Sequence, residues 1–183
     1  MFGGVVKPRF GMIHGRFQPF HNGHLEYLGL AEVRCETLLI GITNPDPAQI
    51  AEESTSAHRH RAESNPFTFF ERLRMIRETI IDSAIDPGRV IIIPFPVNLP
   101  QRWRYYVPRD VVHYVRVFSE WEQTKVDRLR EAGYQTEILQ PGITKAIEAT
   151  DVRRLLDTGG DWESMVPAGV ARVLREIRDV RAK

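Results

Sequence analysis

Apolar positions along the chain fall into compact runs that alternate with spaced, helix-like patterns. Phe10–His14 is an apolar run that predicts a first strand. Asn22–Val33 carries Leu25, Leu28 and Ala31 at helical spacing, with Glu26 and Glu32 between them. Thr37–Ile42 reads Thr-Leu-Leu-Ile-Gly-Ile, the continuous apolar stretch expected of a strand buried on both faces. Phe69, Leu73, Ile76 and Ile80 recur at helical spacing in a second helix, with Asn65 as its expected cap and Pro66 in its expected first turn. Pro87-Gly88 ends that unit, and Val90–Ile93 is a third strand. Val111–Phe118 predicts a fourth strand, Trp121–Ala132 a helix closed by Gly133, and Gln135–Leu139 a fifth strand. Thr150–Leu156 starts a helix that stops at Gly159-Gly160. Val166, Val170, Val173, Leu174 and Ile177 outline a final amphipathic helix.

Strand and helix patterns alternate with no hairpin signal. This predicts an α/β fold: a doubly wound, Rossmann-like, five-stranded parallel sheet with helices on both faces. Residues 1–183 fit one domain, with the helical segment 150–183 packed on it. In such sheets ligands bind beyond the carboxyl ends of the strands, near the point where strand order reverses. Two connections are long. Thr43–Ser64 contains His58, Arg59, His60 and Arg61, and Pro94–Pro108 contains Asn98, Gln101, Arg102, Trp103, Arg104, Tyr105 and Tyr106. Connections of this length in a compact domain are commonly functional or disordered.

Composition narrows the classes without choosing among them. Charged residues make up 27% of the chain and the net charge is +1, so neither a nucleic-acid surface nor a membrane surface is expected. No run approaches a transmembrane span, and the N-terminus lacks the apolar core of a signal peptide. Cys35 has no cysteine to pair with, which fits a reducing cytoplasm, and it is expected to be a small buried residue beside the second strand.

The chemistry concentrates in residues 15–24, Gly15-Arg16-Phe17-Gln18-Pro19-Phe20-His21-Asn22-Gly23-His24, at the junction of the first strand and first helix. Gly15 lets the backbone approach a phosphate, and the amides of the turn and helix start add donors. Arg16 adds fixed charge. His21 and His24, three apart with Gly23 between them, can face one anion as the helix begins. Capping or packing would explain either histidine alone; the combination with Gly15, Arg16, Gln18, Pro19 and Gly23 points to phosphate chemistry. The chain carries neither Gly-x-x-x-x-Gly-Lys-Ser/Thr nor Gly-x-Gly-x-x-Gly after the first strand, and no Gly-x-Ser-x-Gly elbow or zinc-spaced cysteines.

Gly15-Arg16-Phe17-Gln18-Pro19-x-His21-x-Gly23-His24 resembles the signature of the HxGH nucleotidylyltransferase superfamily, in wording closest to the archaeal-type nicotinamide mononucleotide (NMN) adenylyltransferases. Asn65-Pro66-Phe67-Thr68-x-x-Glu71-Arg72 resembles the start of the family's second helix. Ala149-Thr150-Asp151-Val152-Arg153 resembles the end of its second signature, and Trp162-Glu163-x-x-Val166-Pro167 its C-terminal segment. The resemblance implies transfer of a nucleoside monophosphate from a triphosphate to a phosphate-bearing acceptor, with pyrophosphate leaving and Mg²⁺ carried by the nucleotide phosphates rather than by a protein metal site. It implies nucleotide contacts from Gly15, Arg16, Phe17, Gln18, His21, Gly23, His24, Thr150 and Arg153. Of these, His21, His24, Arg16 and Arg153 would be catalytic: His21 and His24 would stabilise the transition state, Arg16 would hold phosphate and Arg153 would neutralise the leaving pyrophosphate. Trp103 would stack on a nicotinamide, Asn98 would bond its carboxamide, and Arg72 would belong to the acceptor site. The implied leading reaction is ATP plus NMN giving NAD, in an enzyme that often self-assembles into a homo-oligomer.

The resemblance frays around base and acceptor. Glu148 stands where the second signature has serine, Ser119-Glu120-Trp121 replaces a Ser-x-Asn turn, and Thr43–Ser64 is longer than its counterpart. A carboxylate at 148 would repel a triphosphate unless it turns away. The superfamily also holds cytidylyltransferases, so CTP with a small phosphate or phosphonate acceptor is the alternative, and His58–Arg61 would suit an anionic acceptor. A non-catalytic nucleotide sensor is a third reading.

Overall fold

The computed structural model describes residues 6–46, 62–139 and 147–183, so the His58–Arg61 cluster lies outside the described residues. As the alternation predicts, β1 (Phe10–Gly15), β2 (Thr37–Thr43), β3 (Val90–Phe95), β4 (Val112–Arg116) and β5 (Gln135–Leu139) form one parallel sheet in the order β3-β2-β1-β4-β5. The helices are α1 (Asn22–Glu32), α2 (Phe69–Asp82), α3 (Glu120–Glu131), α4 (Ala149–Thr158) and α5 (Ala168–Arg181). Among the described residues, no helix is long and apolar enough to cross a membrane.

Several boundaries differ from the sequence pattern, each for a local reason. Helix α2 starts at Phe69, because Thr68 caps it: Thr68 Oγ1 accepts from the Glu71 amide at 3.2 Å, and the Glu71 carboxylate accepts from the Thr68 amide at 2.7 Å. Asn65 and Pro66 precede the helix. Helix α4 begins at Ala149 with Glu148 in the cap position, so Thr150 lies inside the first turn; Gly159, at φ 72°, ends it in the left-handed conformation. Val166 falls before α5, whose cap is Pro167. The long connection 94–108 is not all loop; Pro100–Tyr105 winds into 3₁₀ turns.

Strand β1 is central and runs between two cores. Ile13 joins Leu28, Ile40, Ile76, Val152, Val170 and Leu174 under α1, α2, α4 and α5. Met12 joins Phe95, Trp103, Val111, Val115, Val126 and Leu129 on the opposite face, under α3 and the 3₁₀ segment. Helices α2 and α5 pack so closely that a Cβ on Gly169 would sit 2.6 Å from the Glu78 backbone. Strand order reverses between β1 and β4, where the ladder consists of Gly11↔Val112 and Met12↔His113. The last three residues of β1 run beyond it, which opens a crevice at the carboxyl edge. This is where doubly wound sheets bind ligands.

Candidate active site

The loop between β1 and α1 is held by its own side chains. Phe17 takes a positive φ of 53° and buries its ring against Phe20 and His24. A Cβ on Gly15 would meet the Phe17 ring at 2.9 Å, so glycine is required for the fold-back. Gln18, expected at the nucleotide, is instead spent on the scaffold: its Nε2 donates to the Phe67 carbonyl and its Oε1 accepts from the Phe67 amide, both at 3.0 Å. That double clasp ties the loop to the segment before α2.

His21 sits at the N-cap of α1 and stacks on His24, with ring centroids 3.7 Å apart and planes 27° apart. A Cβ on Gly23 would approach the His21 ring to 3.2 Å, so the glycine between the histidines keeps that ring in place. The His21 amide donates to His24 Nδ1 at 3.3 Å. Nδ1 is therefore an acceptor and the ring's N–H lies on Nε2. The first turn of α1 carries no acidic residue, so nothing opposes an anion at the positive end of the helix dipole. Arg116 of β4 steadies the same turn. Its guanidinium donates to the Gly23 carbonyl at 3.3 Å and to both carboxylate oxygens of Glu26 at 3.1 and 3.2 Å.

Arg153 brings the C-terminal signature to this turn. Its Nη1 donates to the Gln18 carbonyl at 2.6 Å and its Nη2 to Thr150 Oγ1 at 3.1 Å. Arg16 reaches the Ser64 carbonyl at 3.4 Å. The motif turn, Arg16, Thr150 and Arg153 thus converge at the carboxyl edge of β1 and supply amides, two guanidiniums and two imidazoles. Glu148 is exposed at the cap of α4 and does not cap it with its side chain.

The residues expected at the acceptor divide differently. Arg72 is 1% exposed, and four carbonyls occupy it: Nε donates to Thr68 at 3.2 Å, Nη1 to Arg16 at 2.8 Å and Thr43 at 2.7 Å, and Nη2 to Asn44 at 2.8 Å. Burial pulls its pKa down to about 10, so it remains a cation at neutral pH. It locks the motif loop to the end of β2 instead of meeting the acceptor. Trp103 is 1% exposed, donates Nε1–H to the Pro96 carbonyl at 2.9 Å and stacks on Phe95 at 5.6 Å, so the structure puts it in the core with no open face. Asn98 is half-buried, and its Oδ1 has no hydrogen-bond partner among the described residues. Ser119 precedes α3 as its cap, and Trp121 is buried.

Sequence patterning overlooked His14 and His113. Both are buried on the α3 face, with ring centroids 5.4 Å apart. The available signal was a polar side chain inside an otherwise apolar strand run.

A doubly wound sheet with two stacked histidines, a helix start and two guanidiniums at its switch point brings together groups that can hold an anion. The chain belongs to the cytidylyltransferase-like family, whose model matches residues 12–155. It is a nucleotidylyltransferase. Among its relatives, phosphonoformate cytidylyltransferase of Streptomyces viridochromogenes is 43% identical over 166 residues, covering 91% of this chain and 90% of that protein. Nicotinamide-nucleotide adenylyltransferase of Thermococcus kodakarensis is 34% identical over 172 residues, covering 93% and 84%. The fold is also that of a bifunctional NMN adenylyltransferase/ADP ribose pyrophosphatase from Francisella tularensis, solved with AMP and a manganese ion. The TM-score is 0.65 at 17% identity, over 92% of this chain and 49% of that one, so this chain spans about half of that enzyme.

Proposed function

We propose that this enzyme transfers a cytidylyl group from CTP to a small acceptor bearing a phosphonate or phosphate. The observation that carries this reading is the closure of Trp103: its ring is stacked, bonded and buried, leaving no platform for a flat nicotinamide. The 43% identity to a phosphonoformate cytidylyltransferase, against 34% to an NMN adenylyltransferase, points the same way.

An acceptor oxygen attacks the α-phosphorus. The bond from that phosphorus to the β-bridging oxygen breaks, and pyrophosphate takes the electron pair. Such transfers depend on positioning and charge stabilisation, without a covalent nucleophile. His24, through Nε2–H, and His21 would stabilise charge on the transferring group. Arg16 would hold phosphate, while Thr150 and Arg153 at the start of α4 would receive the β- and γ-phosphates. Among the described residues, no group of three or more His, Cys, Asp or Glu side chains could hold a metal ion by itself. Mg²⁺ would enter on the triphosphate, where it offsets phosphate charge.

ATP with NMN is the second reading, favoured by the archaeal adenylyltransferase relatives and the wording of the motif. A matrix of four triphosphates against phosphonoformate, small phosphates, NMN and nicotinic acid mononucleotide, scored by pyrophosphate release, separates the two. Turnover with CTP and a small phosphonate is expected; turnover confined to ATP and NMN overturns the proposal. Nucleotide binding without pyrophosphate release from any pair would leave a sensor.

A further inference from the structure

Helix α1 carries both histidines of the site, and side chains at the carboxyl half of β4 set its place. The β1–β4 ladder ends at Met12↔His113; beyond that rung β4 continues against β5, as Tyr114↔Glu137, Val115↔Ile138 and Arg116↔Leu139. Side-chain bonds join this half of β4 to α1. Tyr27 of α1 donates its hydroxyl to the Tyr114 carbonyl, and Tyr114 donates its own to the Arg34 carbonyl, just past the helix, at 3.1 Å. Arg116 reaches the first turn: its Nη1 donates to the carbonyl of Gly23, the residue between His21 and His24, at 3.3 Å.

Stability alone would not put an arginine there. The Arg116 side chain is 8% exposed, and its Nε is buried without a partner among the described residues. Taking a guanidinium out of water is strongly unfavourable unless it is well paired. Its carboxylate partner, Glu26, is 57% exposed, and an ion pair open to solvent on one side offsets little of that. What the arginine does supply is geometry. Nη1 also donates to Glu26 Oε2 at 3.1 Å, and Nη2 donates to Glu26 Oε1 at 3.2 Å, so a carboxylate of the same helix grips the planar fork. The guanidinium also lies over the Phe118 ring at 5.3 Å. Glu26 and Phe118 orient the fork, and the fork holds the turn. The stacked imidazoles, 3.7 Å apart, ride on that turn. A misplacement on the order of 1 Å at a reacting centre can cost ~100-fold in rate.

We propose that Arg116 is a positioning residue for the transfer step: it holds the His21–His24 turn against the end of β4, with Glu26 orienting its guanidinium. This role rests on the parts given above to His21 and His24, and it is the same whether the base is cytosine or adenine. Arg116 acts on the protein and not on the substrate. Its removal should therefore slow the transfer through the histidines, without weakening substrate binding in proportion.

The test is steady-state pyrophosphate release with the pair of substrates that turns over fastest in the matrix above. Arg116→Met keeps an unbranched stem in place. It should lower kcat at least ~10-fold while both KM values stay within about threefold. Arg116→Lys, which lacks the fork, should recover only part of that loss. Glu26→Gln, at an exposed position, should lower kcat by about threefold. The deciding measurement is a double-mutant cycle with His24→Ala. If Arg116 works through the histidine turn, Arg116→Met and Glu26→Gln should each change the kcat of His24→Ala by less than about twofold. Should Arg116→Met fail to fold, Arg116→Lys and Glu26→Gln carry the same cycle. Losses of equal size in both backgrounds overturn the positioning role, as does a wild-type kcat in folded Arg116→Met. Either result beside a strong His24→Ala defect removes that role alone. Near-wild-type turnover in His24→Ala, or no pyrophosphate release by the wild type from any pair, removes the parent mechanism and this role together.

Discussion

Arg153 donates to the backbone carbonyl of Gln18 at 2.6 Å across 135 positions of the chain. One guanidinium thereby joins the first turn of α4 to the loop that presents His21. Arg153→Ala should lower kcat/KM for the triphosphate at least ~100-fold, the scale of losing one charge-assisted contact in the transition state. Arg153→Lys should recover little, because an ammonium cannot serve the Gln18 carbonyl, Thr150 and a phosphate from one planar fork. Wild-type kcat/KM in Arg153→Ala, measured by pyrophosphate release, would assign the residue to scaffold alone.

The contact between the His21 amide and His24 Nδ1 puts the ring N–H of His24 on Nε2, the donor of the proposed mechanism. His24→Ala should reduce kcat at least ~100-fold. His24→Gln can place an amide N–H near the Nε2 position, whereas His24→Asn reaches only the Nδ1 position. The glutamine variant should therefore keep more activity than the asparagine variant; the reverse order would put the donor on the wrong nitrogen.

Trp103 reads as packing. Trp103→Phe should lower stability by about 1–3 kcal/mol through lost volume and an orphaned Pro96 carbonyl. The acceptor KM should stay within about twofold. Urea denaturation and steady-state kinetics on one preparation check both. A large rise in acceptor KM at unchanged stability would return Trp103 to the ligand and favour the NMN reading.

The buried histidine pair should make the fold acid-sensitive. Burial, then the Lys125 charge and, for His14, that of His113, hold His14 well below its ordinary value of 6.5 and push His113 down to about 3. Tyr134 also packs on His113. The unfolded chain takes up protons near the ordinary value while the folded chain resists, so stability is complete above about pH 6.5 and falls as pH drops toward about 3. The slope should reach about 1.4 kcal/mol per pH unit for each histidine. Urea midpoints at about pH 7.5, 6 and 5 should decline, and His113→Phe should flatten the decline. Identical slopes in variant and wild type would show that other groups govern acid stability.

Much of the architecture was legible before any coordinates. The segments that begin at Phe10, Thr37, Val90, Val111 and Gln135 each contain a strand, because strand patterning is a local signal. Gly133 and Gly159 closed their helices at positive φ, as chain punctuation suggested. The pattern puts the cap of α2 at Asn65, whereas the reciprocal bond with Glu71 makes Thr68 the cap. Arg72, Trp103 and Gln18 were harder. Each residue type serves equally as ligand contact or scaffold, and the choice turns on whether carbonyls from distant segments occupy its donors.

By itself the sequence determined the order of elements and the parallel sheet, because those depend on spacing within a few turns of chain. Tertiary structure alone decided that Arg72 locks loops, that Trp103 has no open face, and that His14 meets His113 at the switch point. The first two outcomes depend on which backbone carbonyls and rings the fold brings to those side chains, and the third on β1 lying beside β4, about a hundred residues later in the chain.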